Sequence, residues 1–163
     1  MGEISNMAKK EPKKICFAAS SGGHLEQILM LKPLMDKYDS FLVTEKTAYK
    51  SDIKGIRMYY MHQVNRKELT FPLEMLANIV RSIAIILREK PDVVISTGVL
   101  AMIPICLMAK VFRKKLIYIE SFAKVKSANA TGKLLYRFAD QFYVQWPQML
   151  EIYPNAIYLG GIY

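Results

Sequence analysis

Short apolar runs alternate with helical segments along most of this chain, and this alternation limits the fold more than any other feature of the sequence. The runs are residues 15–19, 40–44, 58–64, 92–97, 116–120 and 141–145, with a shorter one at 156–159. Strands that alternate with helices build parallel sheets, because the chain must cross one face of the sheet to reach a parallel neighbour. The sequence therefore predicts an α/β fold: a parallel sheet of about six strands with helices on both faces.

Two of the helical segments carry further expectations. The first extends from Leu25 to about residue 38, and Pro33 lies inside it, so we expect a kink or a break there. The second, residues 71–90, has apolar residues at the helical period and additional ones off that stripe. With basic residues nearby, it suits an interfacial membrane contact, or a position between the sheet and a neighbouring element or partner chain. These basic residues are Arg66, Lys67, Arg81, Arg88 and Lys90.

The first strand leads into the first helix through Ser20-Ser21-Gly22-Gly23-His24. Glycines allow the main chain to turn sharply and to approach a ligand closely. The free N–H groups in the first turn of a helix attract anions. The segment is consistent with an anion site that His24 faces, and also with a tight turn in which His24 only caps the helix.

Small polar residues follow two other strands. Ser96-Thr97-Gly98 ends the fourth strand, and Glu120-Ser121 ends the fifth. Ligands of open α/β sheets bind outside the carboxyl ends of the strands, which all lie at one edge. We therefore expect these two endings and the Gly-Gly-His turn to form one site.

The motifs of several common site chemistries are missing. The glycine turn is not G-x-G-x-x-G, no P-loop G-K-S/T follows a glycine, and no G-x-S-x-G elbow occurs. His24 and His62 lack close carboxylates or a cysteine set, so we expect neither a metal nor a cofactor. A phosphate-bearing ligand remains, with His24 and Glu120 as the candidate proton-handling side chains.

Positive charge is concentrated in one segment of this chain, whose net charge is +9. Residues 110–137 contain eight lysines and arginines against the single acid Glu120, a net charge of +7. Such a segment suits nucleic acid, phosphate-bearing substrates or an anionic membrane surface, or it only keeps the protein soluble. No motif for reading nucleic acid accompanies it, so we expect no nucleic-acid partner.

The termini and the cysteines bear on domain organisation and location. Residues 1–14 are polar and lysine-rich, and we expect a flexible basic tail followed by one domain, residues 15–163. No stretch reaches the roughly 20 apolar residues of a membrane span, and no signal peptide is recognisable. Cys16 and Cys106 show no disulfide or metal spacing. Two buried thiols in a cytoplasmic protein are expected.

Several longer motifs resemble one protein family. They are residues 20–25 (SSGGHL), 96–98 (STG), 118–126 (YIESFAKVK), 131–140 (TGKLLYRFAD) and 142–147 (FYVQWP). Together they resemble the Alg/PssD/CpsF family of oligosaccharide-biosynthesis subunits, over residues 14–163. Its eukaryotic members are the membrane-anchored half of a two-chain transferase that adds the second N-acetylglucosamine to dolichol-diphosphate-linked N-acetylglucosamine. Its bacterial members serve capsule and exopolysaccharide assembly.

The resemblance implies half of a glycosyltransferase. The chain is also similar to the N-terminal half of MurG-like GT-B glycosyltransferases, which have two Rossmann-like domains. In these enzymes the N-terminal domain takes the lipid-linked acceptor and the C-terminal domain binds the nucleotide sugar. Residues 15–163 would then be a Rossmann-like acceptor domain, and a separate donor-binding catalytic subunit is implied as its partner. The acceptor would be a polyprenyl-diphosphate-linked sugar.

The resemblance also implies roles for the residues at the strand ends. Those that would cradle the acceptor diphosphate are Ser21, Gly22, Gly23, Thr97 and Gly98, with Lys124 either joining them or simply solvated. The reaction would be an inverting attack by an acceptor hydroxyl, which needs a general base. His24 or Glu120 would be that catalytic base, or Glu120 would orient the acceptor. Alternatively, His24 only donates a hydrogen bond to phosphate and Glu120 only holds a loop.

Membrane attachment is expected to differ from that of the eukaryotic members. The sequence shows no N-terminal membrane span, which favours the bacterial branch and a peripheral location on the inner face of the plasma membrane. Residues 71–90, with Arg66 and Lys67, are the candidate contact with an anionic membrane surface. The alternative function is a non-catalytic scaffold that anchors and stabilises the catalytic glycosyltransferase subunit.

Overall fold

The computed structural model describes residues 13–47 and 53–163 of the chain. The first half contains β1 (Lys14–Ala19), α1 (Gly23–Leu29), α2 (Lys32–Lys37), β2 (Asp39–Glu45), β3 (Arg57–Met61) and α3 (Phe71–Glu89). The second half contains β4 (Val93–Gly98), α4 (Ile103–Val111), β5 (Lys115–Ile119), α5 (Ala130–Leu135), β6 (Gln141–Val144) and β7 (Ile157–Tyr158). Two 3₁₀ turns, Leu100–Met102 and Pro147–Glu151, precede α4 and β7.

The seven strands of the described ranges join one parallel sheet in the order β3-β2-β1-β4-β5-β6-β7. The chain first builds outward from β1 to β3 and then returns to the other side of β1 to add β4. The order of the strands therefore reverses between β1 and β4, which is where ligands of such sheets bind. This Rossmann-like parallel α/β fold confirms the predicted fold class.

Apolar cores lie on both faces of the sheet. The core under α1 and α2 includes Phe17, Ile28 and Leu42, and the core under α3, α4 and α5 includes Phe41 and Leu116. Neighbouring residues of one strand point to opposite faces, so Phe41 and Leu42 enter different cores. Helices on both faces were predicted, and this alternation explains why the central strands are apolar throughout.

The predicted first helix is broken, as Pro33 indicated. The segment forms α1 and α2, separated at residues 30–31, and Pro33 is the second residue of α2. Proline lacks an N–H group, and the first turn of a helix is where that group is not required. The break directs α1 and α2 separately across the sheet.

The third strand is shorter than the predicted run 58–64. It ends at Met61, because the side chain of Asn78 on α3 takes over the main-chain groups of His62. The His62 N–H donates to Asn78 Oδ1 at 2.8 Å, and Asn78 Nδ2 donates to the His62 carbonyl at 2.9 Å. Asn78 is fully buried, so a side-chain amide substitutes for the next strand partner.

Lys14, which was assigned to the tail, is the first residue of β1. Its ammonium group lies 3.1 Å from Glu89 and 3.2 Å from Asp39, and Arg57 contacts the same two carboxylates. This network closes the amino ends of β1, β2 and β3. Residues 1–12 of the expected tail lie outside the described residues, as do residues 48–52 of the polar connection before β3.

Candidate functional site

The carboxyl ends of β1, β4 and β5 meet at one edge, as the sequence predicted. β4 lies between β1 and β5, and the Ser20 N–H donates to the Gly98 carbonyl at 2.8 Å, joining the first two endings. Gln27 on α1 reaches the third ending, with Nε2 3.4 Å from the Glu120 carbonyl. The Gly-Gly-His turn, the Thr-Gly turn and Glu120 therefore belong to one neighbourhood, which we call the strand-end site.

The glycine turn presents an open main chain at this site. Gly22 has a φ angle of +79°, a conformation that favours glycine, and its carbonyl accepts the N–H groups of Leu25 and Glu26. Gly22 and Gly23 are exposed, and no atom lies within 4 Å of the position that a Cβ would take on either. The space in front of the turn is not filled by packed side chains, so a ligand can approach the main chain there.

Ser21 holds the glycine turn to the neighbouring strand β2. Its N–H and its hydroxyl both donate to Glu45 Oε2, at 3.2 and 3.1 Å. Glu45 is the last residue of β2, and this role was missed in the sequence. Applying the strand-end rule to β2 as well as to β1, β4 and β5 would have found it. The Ser21 hydroxyl proton is therefore committed to a carboxylate rather than offered to a phosphate.

His24 is the half-buried side chain at the centre of the strand-end site. Its Nδ1 lies 2.8 Å from the Thr97 carbonyl oxygen, and the Thr97 hydroxyl donates to the His24 carbonyl at 2.9 Å. A carbonyl only accepts, so this contact places the proton on Nδ1 and leaves Nε2 with its lone pair in the neutral ring. Burial lowers the pKa of His24 from its ordinary value near 6.5, against opposing effects of the Thr97 carbonyl and Glu45. The neutral form is therefore favoured.

Thr97 and Gly98 position His24 and the main chain. Thr97 is fully buried, and its hydroxyl is used by His24, so it acts through the histidine. Gly98 has a φ angle of +90°, and a Cβ there would lie 2.9 Å from the Tyr118 hydroxyl oxygen. Only glycine fits that position. The roles in diphosphate binding that were expected for Ser21, Gly22, Gly23, Thr97 and Gly98 stay predictions.

Glu120 lies beneath the site and is fully buried. Oε1 accepts the Ser121 N–H at 2.9 Å and Asn129 Nδ2 at 2.6 Å, and Oε2 accepts the Tyr153 hydroxyl at 3.0 Å. Burial raises the pKa of Glu120, although these donors and Lys124 oppose the rise. A carboxylate enclosed by three donors does not face a substrate hydroxyl. The geometry favours the alternative in which Glu120 holds the loop that follows β5.

The hydrogen bonds of Glu120 explain two residues that sequence reasoning missed. A Cβ on Gly132 would lie 2.1 Å from Glu120 Oε2, so α5 can pack against the carboxylate only with glycine at that position. Asn129 caps α5, since its side chain accepts the Gly132 N–H while it donates to Glu120. The Asn-x-x-Gly spacing ahead of a short helix was the available signal.

Two buried glutamines connect the same carbonyl to the rest of the site. Gln145 Nε2 donates to the Glu120 carbonyl at 2.8 Å, from the end of β6, and Gln27 approaches it from α1. Both side chains are at least 96% buried. Gln27 lies between Leu25 and Ile28 on the inward face of its helix, and a polar residue in that position signals a buried partner.

Lys124 lies in the loop held by Glu120, and its N–H donates to the Ser121 carbonyl at 2.9 Å. Trp146 fixes the same loop, with Nε1 2.7 Å from the Phe122 carbonyl oxygen. The loop is therefore ordered on the same edge as the glycine turn. A contact between Lys124 and phosphate stays a prediction.

Within residues 13–47 and 53–163, no group of three His, Cys, Asp or Glu side chains could coordinate a metal ion. Over the same ranges, no helix is both long and apolar enough to cross a membrane. Cys16 and Cys106 are both free and buried, as expected.

Comparisons with known proteins agree with the resemblance found in the sequence. Residues 35–162 match the family model described as "Oligosaccharide biosynthesis protein Alg14 like". The chain is 35% identical to the rat UDP-N-acetylglucosamine transferase subunit ALG14, over 91% of this chain and 82% of that protein. It is 30% identical to the human protein of the same name, over 96% of this chain and 86% of the relative.

Solved structures share the fold at low sequence identity. Acinetobacter baumannii MurG superposes with a TM-score of 0.70 and 19% identity, covering 84% of this chain and 43% of MurG. The UDP-N-acetylglucosamine 2-epimerase of Rickettsia bellii also gives a TM-score of 0.70, at 15% identity, covering 93% of this chain and 45% of the epimerase. The chain thus spans less than half the length of these structures.

Proposed function

The chain belongs to the Alg14-like family of oligosaccharide biosynthesis proteins, and we propose that it is the acceptor-binding subunit of a two-chain glycosyltransferase. It would transfer a sugar from a nucleotide-sugar donor to a polyprenyl-diphosphate-linked sugar, in polysaccharide or oligosaccharide assembly. The observation that carries this proposal is the orientation of His24. Its Nδ1 is engaged by the Thr97 carbonyl, and its Nε2 is left as a proton acceptor beside an open glycine turn.

His24 is proposed as the general base. In the transfer, the acceptor hydroxyl oxygen attacks the anomeric carbon of the donor, and the bond from that carbon to the nucleotide diphosphate breaks. The hydroxyl proton passes to His24 Nε2, and the nucleotide diphosphate leaves with the bonding electron pair. Because its pKa is lowered, His24 is neutral near pH 7 and ready to accept this proton.

The acceptor diphosphate is proposed to bind at the glycine turn. The exposed main chain at Gly22 and Gly23 has open space in front of it, and Lys124 lies on the loop at the same edge. Glu120 is assigned the role of a positioning residue, since its three hydrogen bonds hold that loop and the start of α5.

A separate donor-binding catalytic subunit is proposed as the partner. The relatives are named as subunits of a UDP-N-acetylglucosamine transferase, and a subunit implies at least one further chain. That further chain would supply the donor-binding side of the reaction. The subunit is also proposed to lie peripherally on the inner face of the plasma membrane, and the exposed apolar side chains of α3 support a membrane contact. They are Leu73, Leu76, Val80 and Leu87.

The test is transfer by the reconstituted pair of subunits. UDP-N-acetylglucosamine would be the donor, and a short-chain polyprenyl-diphosphate N-acetylglucosamine in detergent the acceptor. We expect His24→Ala to lower the transfer rate about 100-fold or more, the usual contribution of a general base. His62→Ala is the matched control, because His62 is exposed and its main-chain groups are held by Asn78.

A second candidate function is the non-catalytic scaffold, and one observation favours it. Several polar groups of the strand-end site are satisfied within the protein: Ser21 by Glu45, Thr97 by His24, and Glu120 by its three donors. A scaffold predicts that His24→Ala and His62→Ala transfer sugar at the same rate as the unmodified pair. That result would overturn the catalytic role of His24.

A further inference from the structure

A pocket of about 270 Å³ lies between the edge strand β3 and the second half of α3. Its walls are Tyr59, Tyr60, Arg81, Ala84, Ile85 and Arg88. Arg81 and Arg88 are seven residues apart, two turns along the same side of α3, so both side chains border one opening. The pocket is separate from the strand-end site, because it lies beside the middle of β3.

Both guanidinium groups have donors to spare. Arg81 Nη1 donates to the Tyr60 carbonyl at 2.9 Å, which satisfies an acceptor on the open edge of the sheet. One such bond leaves the remaining donors of Arg81 available. The Arg88 side chain makes no hydrogen bond and no ion pair within residues 13–47 and 53–163. The pocket therefore presents two cations that the protein itself does not neutralise.

The carboxylate nearest in sequence does not compensate these cations. Glu89 follows Arg88, but its side chain is 7% exposed and points into the protein. Lys14, Arg57 and the Tyr59 hydroxyl bind it there. An anion in the pocket would meet the two arginines, with the charge of Glu89 already balanced by Lys14 and Arg57.

An exposed apolar stripe runs along α3 beside these arginines. Its large side chains and their exposed fractions are Leu73 70%, Leu76 58%, Val80 60% and Leu87 54%, with Leu69 at 99% just before the helix. Arginines that flank the apolar face of a surface helix are typical of helices lying in the headgroup region of a bilayer. The stripe and the pocket thus offer apolar insertion and a cationic contact side by side.

We propose that the pocket between β3 and α3 binds the phosphate of an anionic phospholipid headgroup while the stripe enters the bilayer. Guanidinium groups suit this ligand, because their planar donors pair with phosphate oxygens. The inference deepens the peripheral membrane position in the proposed function and rests on that part of it. It assigns the contact to particular residues rather than to the general positive charge of the protein.

Vesicle flotation tests this assignment with the full chain alone. The probes are vesicles of phosphatidylcholine, with or without about a third of phosphatidylglycerol, at low and at high salt. We expect binding only to the vesicles with phosphatidylglycerol and release at high salt. Arg81→Gln combined with Arg88→Gln should weaken the partition about tenfold or more, from two charges lost at the membrane surface.

The matched control removes the same charge elsewhere. Lys37 and Lys54 are exposed and lie on the side of the sheet that α2 covers, so Lys37→Gln with Lys54→Gln should change the partition less than twofold. The single variant Arg88→Gln controls for misfolding, because the Arg88 side chain makes no hydrogen bond that the substitution would remove. This variant should weaken binding to the vesicles about threefold or more. Leu73→Gln with Leu76→Gln should also weaken binding.

Equal weakening by the arginine and lysine pairs would overturn the assignment and leave only general charge attraction. A second result would also overturn it: the wild-type chain does not bind vesicles but forms a dimer, and Leu73→Gln with Leu76→Gln dissociates that dimer. The apolar stripe would then be the contact between two copies of the chain. Neither result depends on sugar transfer. The proposed transferase function fails separately, if the reconstituted pair does not use an acceptor in detergent.

Discussion

At the scale of single residues, the strand-end site is arranged around one imidazole and one buried carboxylate with different surroundings. His24 keeps one nitrogen free, whereas Glu120 has its oxygens enclosed by donors. Burial acts on both, lowering the pKa of the histidine and raising that of the carboxyl. The two candidate bases are therefore not equivalent, and the histidine is the one that can accept a proton from a ligand.

The pH profile of transfer tests the role of His24. The base must be neutral, so activity is lost as the pH falls through the pKa of His24. Because burial lowers that pKa, we expect the midpoint of the acidic limb of kcat/KM to lie below pH 6.5. His62→Ala should leave the limb unchanged. An acidic limb that persists with the same midpoint in the residual activity of His24→Ala would assign it to another group.

A second residue-scale prediction concerns Gly132. Its Ala variant would place a methyl group 2.1 Å from Glu120 Oε2 and 2.8 Å from the Tyr153 hydroxyl oxygen, so the buried hydrogen bonds must open. We expect the free energy of unfolding to fall by about 1–3 kcal/mol, measured by urea denaturation. Gly23→Ala is the control, since no atom lies near its Cβ position. If Gly132→Ala and Gly23→Ala had equal free energies of unfolding, α5 would be able to move away from Glu120 without cost.

At the scale of the elements, α3 connects two functions of the fold. On its inward face, Asn78 binds the main chain of His62, directly after the last residue of β3. On the same face, Glu89 joins the ion network at the amino ends of the strands. The outward face of α3 carries the apolar stripe. A helix whose inner contacts are specific polar ones is held in a defined rotation about its axis, which keeps the stripe directed outward.

The network around Glu89 predicts a dependence of stability on pH. Burial alone would raise the pKa of Glu89, but the bonds from Tyr59 and Lys14 and the charge of Arg57 lower it overall. A carboxyl whose pKa is lower in the folded protein stabilises the fold at pH values above its unfolded-state pKa, which is near 4.5. This stabilisation is lost as the pH falls through the pKa of the folded state.

Glu89→Gln should therefore lower the free energy of unfolding by about 1–3 kcal/mol at pH 7. The difference from the wild type should shrink as the pH falls below about 4.5, in urea titrations at several pH values. Glu151→Gln removes the same charge from an exposed side chain and serves as the control. A difference that does not vary with pH would mean that packing, rather than charge, is what Glu89 contributes.

At the scale of the whole molecule, the described part of the chain forms one Rossmann-like sheet with its candidate site at one edge. Ligands in such sheets are held between that edge and whatever faces it. The facing partner is proposed to be the donor-binding chain, because the relatives are named as subunits of a transferase. The isolated chain would then hold only one side of the reacting pair.

We accordingly expect the isolated chain to bind the lipid-linked acceptor in detergent without transferring sugar to it. Adding the donor-binding chain should produce transfer, measured by incorporation of labelled N-acetylglucosamine. If the reacting site is shared between two chains, the isolated chain should bind the acceptor without transfer, and transfer should begin when the donor-binding chain is added. Transfer by the isolated chain would contradict it, because the chain would then contain the donor site as well.

The sequence by itself determined the alternation of strands and helices, the break at Pro33 and the gathering of three strand ends at one edge. The alternation and the break follow from residue period and proline chemistry, which act locally, and the gathering of the strand ends follows from the general rule that parallel strands end at one edge. Only the tertiary structure decided which polar groups face each other. The pairing of Ser21 with Glu45 and the enclosure of Glu120 by Asn129 and Tyr153 join residues up to 33 positions apart. Such pairings arise from packing, because burial forces each polar group to find a partner.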